Sequence, residues 1–306
     1  MEAKYKSLSI FEFQKQFPDE DSCYRHLVKL KWGNGYNCKA CNHDKFCKGN
    51  GKYSRQCTAC NFCESATSNT LFHNMKFSIL KAFYIIYYVS TNKKGISSTE
   101  LSRKLELRQK TCWLFKQKVM RAMKSSGKNL LEGNVEVDES MVGGQEEGVV
   151  GRKNKNKKIV VFAIEKKGNG VSRVYGKVIK KASSQNLGDF MEEKISKEAN
   201  IKTDKWPGYN PLKKKFKNLV QEKSEKKGKN FLLMHRTIMG FKGWMRGIHH
   251  KTIYLQAYID EYCYRFNRNL MKEGIFENLL NRMVIGKPFT YKNMYETYAQ
   301  FKKFLS

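Results

Sequence analysis

Two cysteine pairs, Cys38-x-x-Cys41 and Cys57-x-x-Cys60, constrain this chain more than any other feature. Each CxxC knuckle turns two thiolates toward one ion, and two knuckles complete a tetrahedral Cys₄ shell. Fifteen residues, 42–56, separate the pairs. The surrounding stretch, Gly33 to Asn69, is polar and Gly-rich, with almost no aliphatic residues. Metal binding rather than apolar burial is therefore its expected source of folding energy, with structural Zn²⁺ as the ion. Cys47 and Cys63 are spare thiols nearby, and Cys63, three residues after Cys60, competes as a ligand. An odd total of nine cysteines, four of them in CxxC pairs, favours a reducing compartment and metal ligation over disulfides.

Charge narrows the partner. The 306 residues carry 59 Lys+Arg against 28 Asp+Glu, a formal +31. An ordinary small domain carries a net charge of about 2–8. The excess repels itself unless a polyanion neutralises it, so nucleic acid held through its phosphates is the expected partner. A ribosome-like basic protein, or a merely solvated lysine surface, is the bland counterpart. A hydrophobic content of 40% excludes wholesale disorder. No stretch approaches the roughly 20 apolar residues of a membrane span; the longest, Ile79 to Val89, is broken by Lys81. The N-terminus has no apolar secretory core. No membrane partner is expected, and the expected location is the cytoplasm, at the nucleoid.

Periodicity divides the chain. Residues 8–31 read as two short helices, the first capped by Ser9 and the second by Asp19 or Asp21. Residues 76–90 form a strongly apolar helix. Thr99–Leu105 and Lys110–Met123 follow as two more, with a short link through Arg108. That pair fits a helix-turn-helix, in which the second helix enters the major groove and basic side chains meet phosphates. Arg108, Lys110, Lys116, Lys118 and Arg121 are its candidate contacts, and an ordinary helical hairpin is the plainer alternative. From Val135 the period becomes strand-like: Val135–Asp138, Lys158–Glu165, Val171–Ile179, Ile201–Thr203 and Asn218–Glu222, with a helix at Ser184–Lys197. Phe231–Arg246 and Ile253–Asn267 close the region as long helices.

Acidic residues at two strand ends supply the candidate chemistry. Val135 and Val137 alternate inward, so Glu136 and Asp138 share the other face. Asp204 ends a second strand. Either alone reads as a salt bridge; two carboxylates converging from strand ends suit a hard divalent cation, with substrate phosphate filling its remaining sites. In Phe231–Arg246 an apolar stripe runs through Phe231, Met234, Ile238, Phe241 and Met245. His235 and Lys242, seven apart, stack two turns along one flank of it. A histidine at such a boundary is more often packed than ligating. Gly240 and Gly243 in the same helix cost about 1 kcal/mol each against Ala.

The order of parts resembles a known family. A cysteine ribbon and a helix-turn-helix precede Val-Glu-Val-Asp-Glu-Ser-x-Val-Gly-Gly. Thr203-Asp204-x-Trp206-x-Gly208-Tyr209, Trp244-x-Arg246-Gly247-x-His249-His250 and Tyr264-Arg265-Phe266-Asn267-Arg268 follow. Phe17-Pro18-Asp19-Glu20 and Lys94-Gly95-Ile96-Ser97-Ser98 also match. Over roughly residues 17–268 the chain resembles the DDE-type bacterial insertion-sequence transposases related to eukaryotic Merlin elements. The resemblance implies an α/β, ribonuclease-H-like catalytic domain behind a small zinc ribbon and a helix-turn-helix domain. It implies Asp138 and Asp204 as ligands of catalytic Mg²⁺ or Mn²⁺. It sets His235 where many members carry the third acid, a departure from Asp-Asp-Glu, and Lys242 as the basic residue beyond it. Imidazole is a less natural Mg²⁺ ligand than carboxylate. Arg246, Lys153, Lys155, Lys157, Lys158 and the Lys213–Lys229 stretch are further candidates for the DNA backbone. The implied division is 1–32 (N-terminal helices), 33–69 (ribbon), 70–127 (helix-turn-helix), 132–270 (catalytic) and 271–306 (a helical tail). The implied activity is cutting element ends and joining the 3′-OH to target DNA by two-metal chemistry. The joining of two ends implies a homodimer or larger assembly. A domesticated transposase with a decayed site, acting only as a DNA-binding protein, is the rival reading, and a sequence-independent nuclease on the same core is a third.

Overall fold

A computed structural model of the chain describes residues 7–144, 157–249 and 252–305. It comprises two units: Met1–Met123 with Leu270–Met294, and Lys124–Asn269 with Tyr295–Ser306.

The first unit begins with α1 (Ile10–Gln16), where Ser9 and Glu12 form a reciprocal capping box. Asp19, rather than Asp21, caps α2 (Glu20–Trp32). The ribbon is an antiparallel sheet of three short strands, β1 (Phe46–Lys48), β2 (Ser54–Cys57) and β3 (Cys63–Ser65). It is tied to α2 by charge and rings in place of an apolar core. Lys31 Nζ lies 3.1 Å from the buried Glu64 carboxylate and donates to the Ser65 and Ser68 carbonyls. The Arg55 guanidinium stacks on the Phe46 and Trp32 rings. Three helices follow: α3 (Ile79–Thr91), α4 (Ser98–Leu105) and α5 (Gln109–Met123).

Leu270–Met294, the first part of the C-terminal segment, is built into this unit. After the second unit, α9 (Gly274–Ile285) returns and buries Phe276, Leu279, Leu280 and Met283. The Phe276 ring packs on Phe13, Phe17 and Phe83 at centroid distances of 5.5, 5.8 and 6.3 Å. α10 (Tyr291–Leu305) closes the chain.

The second unit is a five-stranded mixed sheet. Its strands are β4 (Asn134–Gly143), β5 (Lys157–Lys167), β6 (Gly170–Ile179), β7 (Asn200–Thr203) and β8 (Leu219–Gln221), in spatial order β6-β5-β4-β7-β8. The β6–β5 and β5–β4 pairs are antiparallel, while β4–β7 and β7–β8 are parallel. Both faces are covered, which explains the unbroken apolar run Ile159–Ile164 in β5. Val161 and Ala163 pack with Val135 and Val137 under α6 (Ser184–Lys194). Val160, Phe162 and Ile164 pack with α7 (Leu232–Ile248) and α8 (Leu255–Phe266).

Edge strand β6 is sealed by amide side chains. Asn267 pairs with the N–H and C=O of Val174 at 2.8 and 2.9 Å, as a neighbouring strand would. Gln256 accepts from Val178 N–H and donates to the Gly176 carbonyl. The Asn of the Tyr-Arg-Phe-Asn-Arg motif is thus an edge cap, protecting backbone that would otherwise recruit a foreign strand. Gly176 permits this approach, since a Cβ there would stand 2.8 Å from Ile259.

Among the described residues no helix is long and apolar enough to cross a membrane.

Candidate active site and cysteine centre

Strand pairing places the two aspartates. The parallel register sets Val137 beside Thr203, so the next residues, Asp138 and Asp204, come side by side where β7 ends. Alternation turns Asp138 to the face covered by α7. Its side chain is 23% exposed, and His235 Nε2 of α7 lies 4.0 Å from its Oδ2. Burial, then the neighbouring Glu139 and Asp204 carboxylates, push the Asp138 carboxyl up to about 7; the Glu139 N–H and Lys242 only partly offset this. Asp204 is fixed by its own turn: its Oδ1 accepts from Trp206 N–H at 3.0 Å and its carbonyl from Gln221. Lys242, two turns beyond His235, has its ammonium lowered by burial and by Lys157, with Asp138 opposing. A half-buried carboxylate that resists ionisation beside two more carboxylates is a donor set that a hard divalent cation relieves.

Sequence reasoning missed two members of this cluster. Tyr209, fully buried, donates its hydroxyl to Glu139 Oε2 at 2.7 Å. Its phenol is held well above the usual range by burial, then by Glu139, Asp138 and Asp204. Three carboxylates therefore bear on one hydroxyl. Glu139 follows Asp138 directly, and strand alternation alone assigns it to the opposite face; Tyr209 stood in the quoted motif without a role. Glu136, expected on the Asp138 face, is buried there against Lys166 at 2.7 Å. His249 belongs to a structural cluster, stacked on Tyr258 at 3.7 Å with Glu261 beside it.

The cysteine centre lies in the first unit. The Sγ atoms of Cys38, Cys41, Cys57 and Cys60 all lie within 4.8 Å of one another. Cys38–Cys60 and Cys41–Cys57 are each 3.6 Å apart. Tetrahedral Zn²⁺ with bonds near 2.3 Å requires sulfur separations of about 3.8 Å, close to that of these two pairs. Cys63 and Cys47 lie outside this cluster, and Cys47 Sγ is directed to the Gln56 carbonyl.

Of the basic candidates, Arg108, Lys110, Arg121 and Arg246 are exposed. Lys116 is not: it is 4% exposed and its ammonium donates to the Ile96 carbonyl at 2.6 Å. The expectation of a phosphate contact is corrected for it. The carbonyl follows Gly95, at φ 80°, in the Lys-Gly-Ile-Ser-Ser stretch, so that motif anchors α5 from within. Lys118 likewise donates inward, to the His73 carbonyl. Lys153, Lys155 and His250 lie outside the described residues.

Residues 130–267 match the family model of the ISXO2-like transposase domain. Over that span, a little under half of the chain, the second unit is similar to this transposase domain. The match spans all five strands of the mixed sheet and α6 to α8, including Asp138, Asp204, His235 and Lys242. A crystal structure of a pre-cleavage Mos1 transpososome is similar at 11% identity, over 67% of this chain and 79% of that one, with a TM-score of 0.26. No curated protein matches the chain.

Proposed function

We propose that the chain is a DDE-type DNA transposase that cuts the ends of an insertion sequence and joins the freed 3′-OH to target DNA. The observation that carries this is the adjacency of Asp138 and Asp204 where β7 ends, with His235 4.0 Å from Asp138 and Lys242 acting on the same carboxyl, inside a stretch that matches a transposase family model. On this reading the mixed sheet is a ribonuclease-H-like core. Asp138 and Asp204 would hold Mg²⁺ or Mn²⁺; bound there, the ions supply Lewis-acid polarisation of phosphate and water. Lys242 brings its ammonium to the scissile or flanking phosphate. His235 orients the phosphate or water at the third position. The four thiols hold structural Zn²⁺. α4 and α5 act as a helix-turn-helix recognising terminal repeats, with Arg108, Lys110 and Arg121 on phosphate and Arg246 serving DNA at the catalytic unit. Two ends require at least a homodimer.

One observation favours a second reading. A histidine, not an acid, stands 4.0 Å from Asp138 on α7, as a decayed, DNA-binding descendant would allow. Incubating the protein and Mg²⁺ with duplexes that do or do not carry the element ends separates the readings. Cleavage confined to the ends supports a transposase. Equal cleavage of both points to a general nuclease, and binding without cleavage points to the decayed form.

A further inference from the structure

His235 is 42% exposed, and a half-exposed histidine on a helix has several rotamers open to it. One side of its ring is nevertheless closed. A Cβ at Gly228 would stand 2.1 Å from Cε1, 2.4 Å from Nδ1 and 2.8 Å from Nε2 of His235, so the imidazole lies directly on the glycine backbone. Gly228 has φ +64°, which a side chain would strain in any case. Both conditions select glycine here for the same neighbour.

The turn that carries Gly228 is closed on itself. Asn230 Nδ2 donates to Glu222 Oε1 at 2.6 Å and to the Lys223 carbonyl at 3.0 Å. Its Oδ1 accepts from Glu225 N–H at 3.0 Å, and Gly228 N–H donates to the Glu225 carbonyl at 2.8 Å. Lys202, on β7, reaches both ends of the turn: Glu222 Oε2 at 2.6 Å and the Asn230 carbonyl at 3.3 Å. Two residues later the same strand delivers Asp204. A continuous set of contacts therefore runs from β7 through Glu222 and Asn230 to Gly228, and from Gly228 to the ring 4.0 Å from Asp138.

We propose that residues 222–231 are a positioning device for His235, with Gly228 as the surface that fixes its ring beside Asp138 and Asn230 as the residue that keeps Gly228 in place. Neither residue reacts; both act through His235. The inference rests on the reading that His235 serves strand cleavage. A misplacement of about 1 Å in such a group costs up to about a hundredfold in rate.

The test is a double-mutant cycle in the full chain, reading end cleavage with Mg²⁺, together with NMR of the His235 ring. Gly228→Ala should lower kcat by about ten- to a hundredfold with DNA binding retained and Tm lowered by the backbone strain at φ +64°, and its loss of kcat should vanish in the His235→Ala background. Equal losses in both backgrounds, or no loss, would overturn the proposal. Should Gly228→Ala fail to fold, Asn230→Ala takes its place, since it leaves the glycine conformation available. The NMR arm does not depend on activity. Asn230→Ala should convert a single restrained ring into a rotamer average, and an unchanged ring would overturn the proposal. An inactive wild-type protein whose ring loosens in Asn230→Ala would count against the transposase reading alone.

Discussion

Asp138 is held where a carboxylate ionises with difficulty. Burial, then the Glu139 and Asp204 charges, push its carboxyl up to about 7 from the ordinary 3.8. Between those two pH values the folded chain keeps the proton and the unfolded chain does not. Without magnesium this group's contribution to stability is therefore present at low pH and lost as pH rises toward 7, by a few kcal/mol on the order of 1.4 per pH unit. Asp138→Asn removes the charge, so thermal melts in magnesium-free buffer should show it more stable than wild type at pH 7.5, with the gap closing toward pH 5. A wild type of equal stability across that range would contradict the description of the site. The aspartates were legible because alternation in Val-Glu-Val-Asp and the end of a short strand are local signals. The Tyr209–Glu139 pair was not, because it joins residues far apart in sequence across an opposite face. Lys116 misled for a related reason: its ammonium is claimed by the Ile96 carbonyl, which helical periodicity cannot reveal.

The elements divide along similar lines. The ribbon could be read from its knuckles, since four thiols must meet wherever the strands run. Which thiols ligate was left open until the geometry set Cys63 and Cys47 outside the cluster. The helices were legible from caps and apolar spacing, whereas what covers them was not. On α5, apolar burial extends well beyond one stripe, to Cys112, Phe115, Val119, Met120, Ala122 and Met123, while Gln109 and Lys110 at its start are exposed. Lys110→Ala should flatten the salt dependence of DNA binding by about one contact and shift stability by less than about 0.5 kcal/mol. Lys116→Ala should do the reverse, leaving the salt slope unchanged and costing about 1–3 kcal/mol through the stranded carbonyl. Titrations over a salt series, with denaturant melts of both variants, read the two effects apart. A flattened slope in Lys116→Ala would show that its ammonium reaches DNA after all.

At the scale of the whole molecule, the first unit is completed by residues from beyond the stretch that matches the family model. Phe276, Leu279, Leu280 and Met283 are buried in it, each contributing about 1.5–3 kcal/mol by burial. Together they rival the roughly 5–15 kcal/mol by which a domain is stable. Ending the chain at Asn269 should abolish the first unit's unfolding transition in calorimetry while leaving that of the mixed-sheet unit; two retained transitions would show that α9 is dispensable. Periodicity marked this segment as helical but gave no sign of its partner. The net charge of +31 was the clearest whole-chain signal, and it points to a polyanion without saying what is done to it. That question rests on the paired aspartates. The decisive measurement is strand cleavage of an element-end duplex, with Mg²⁺ and again with Mn²⁺, by wild type, Asp138→Asn and Asp204→Asn at matched DNA occupancy. The account predicts cleavage by wild type alone, with undiminished DNA binding by both variants. Cleavage that persists in either variant would contradict it.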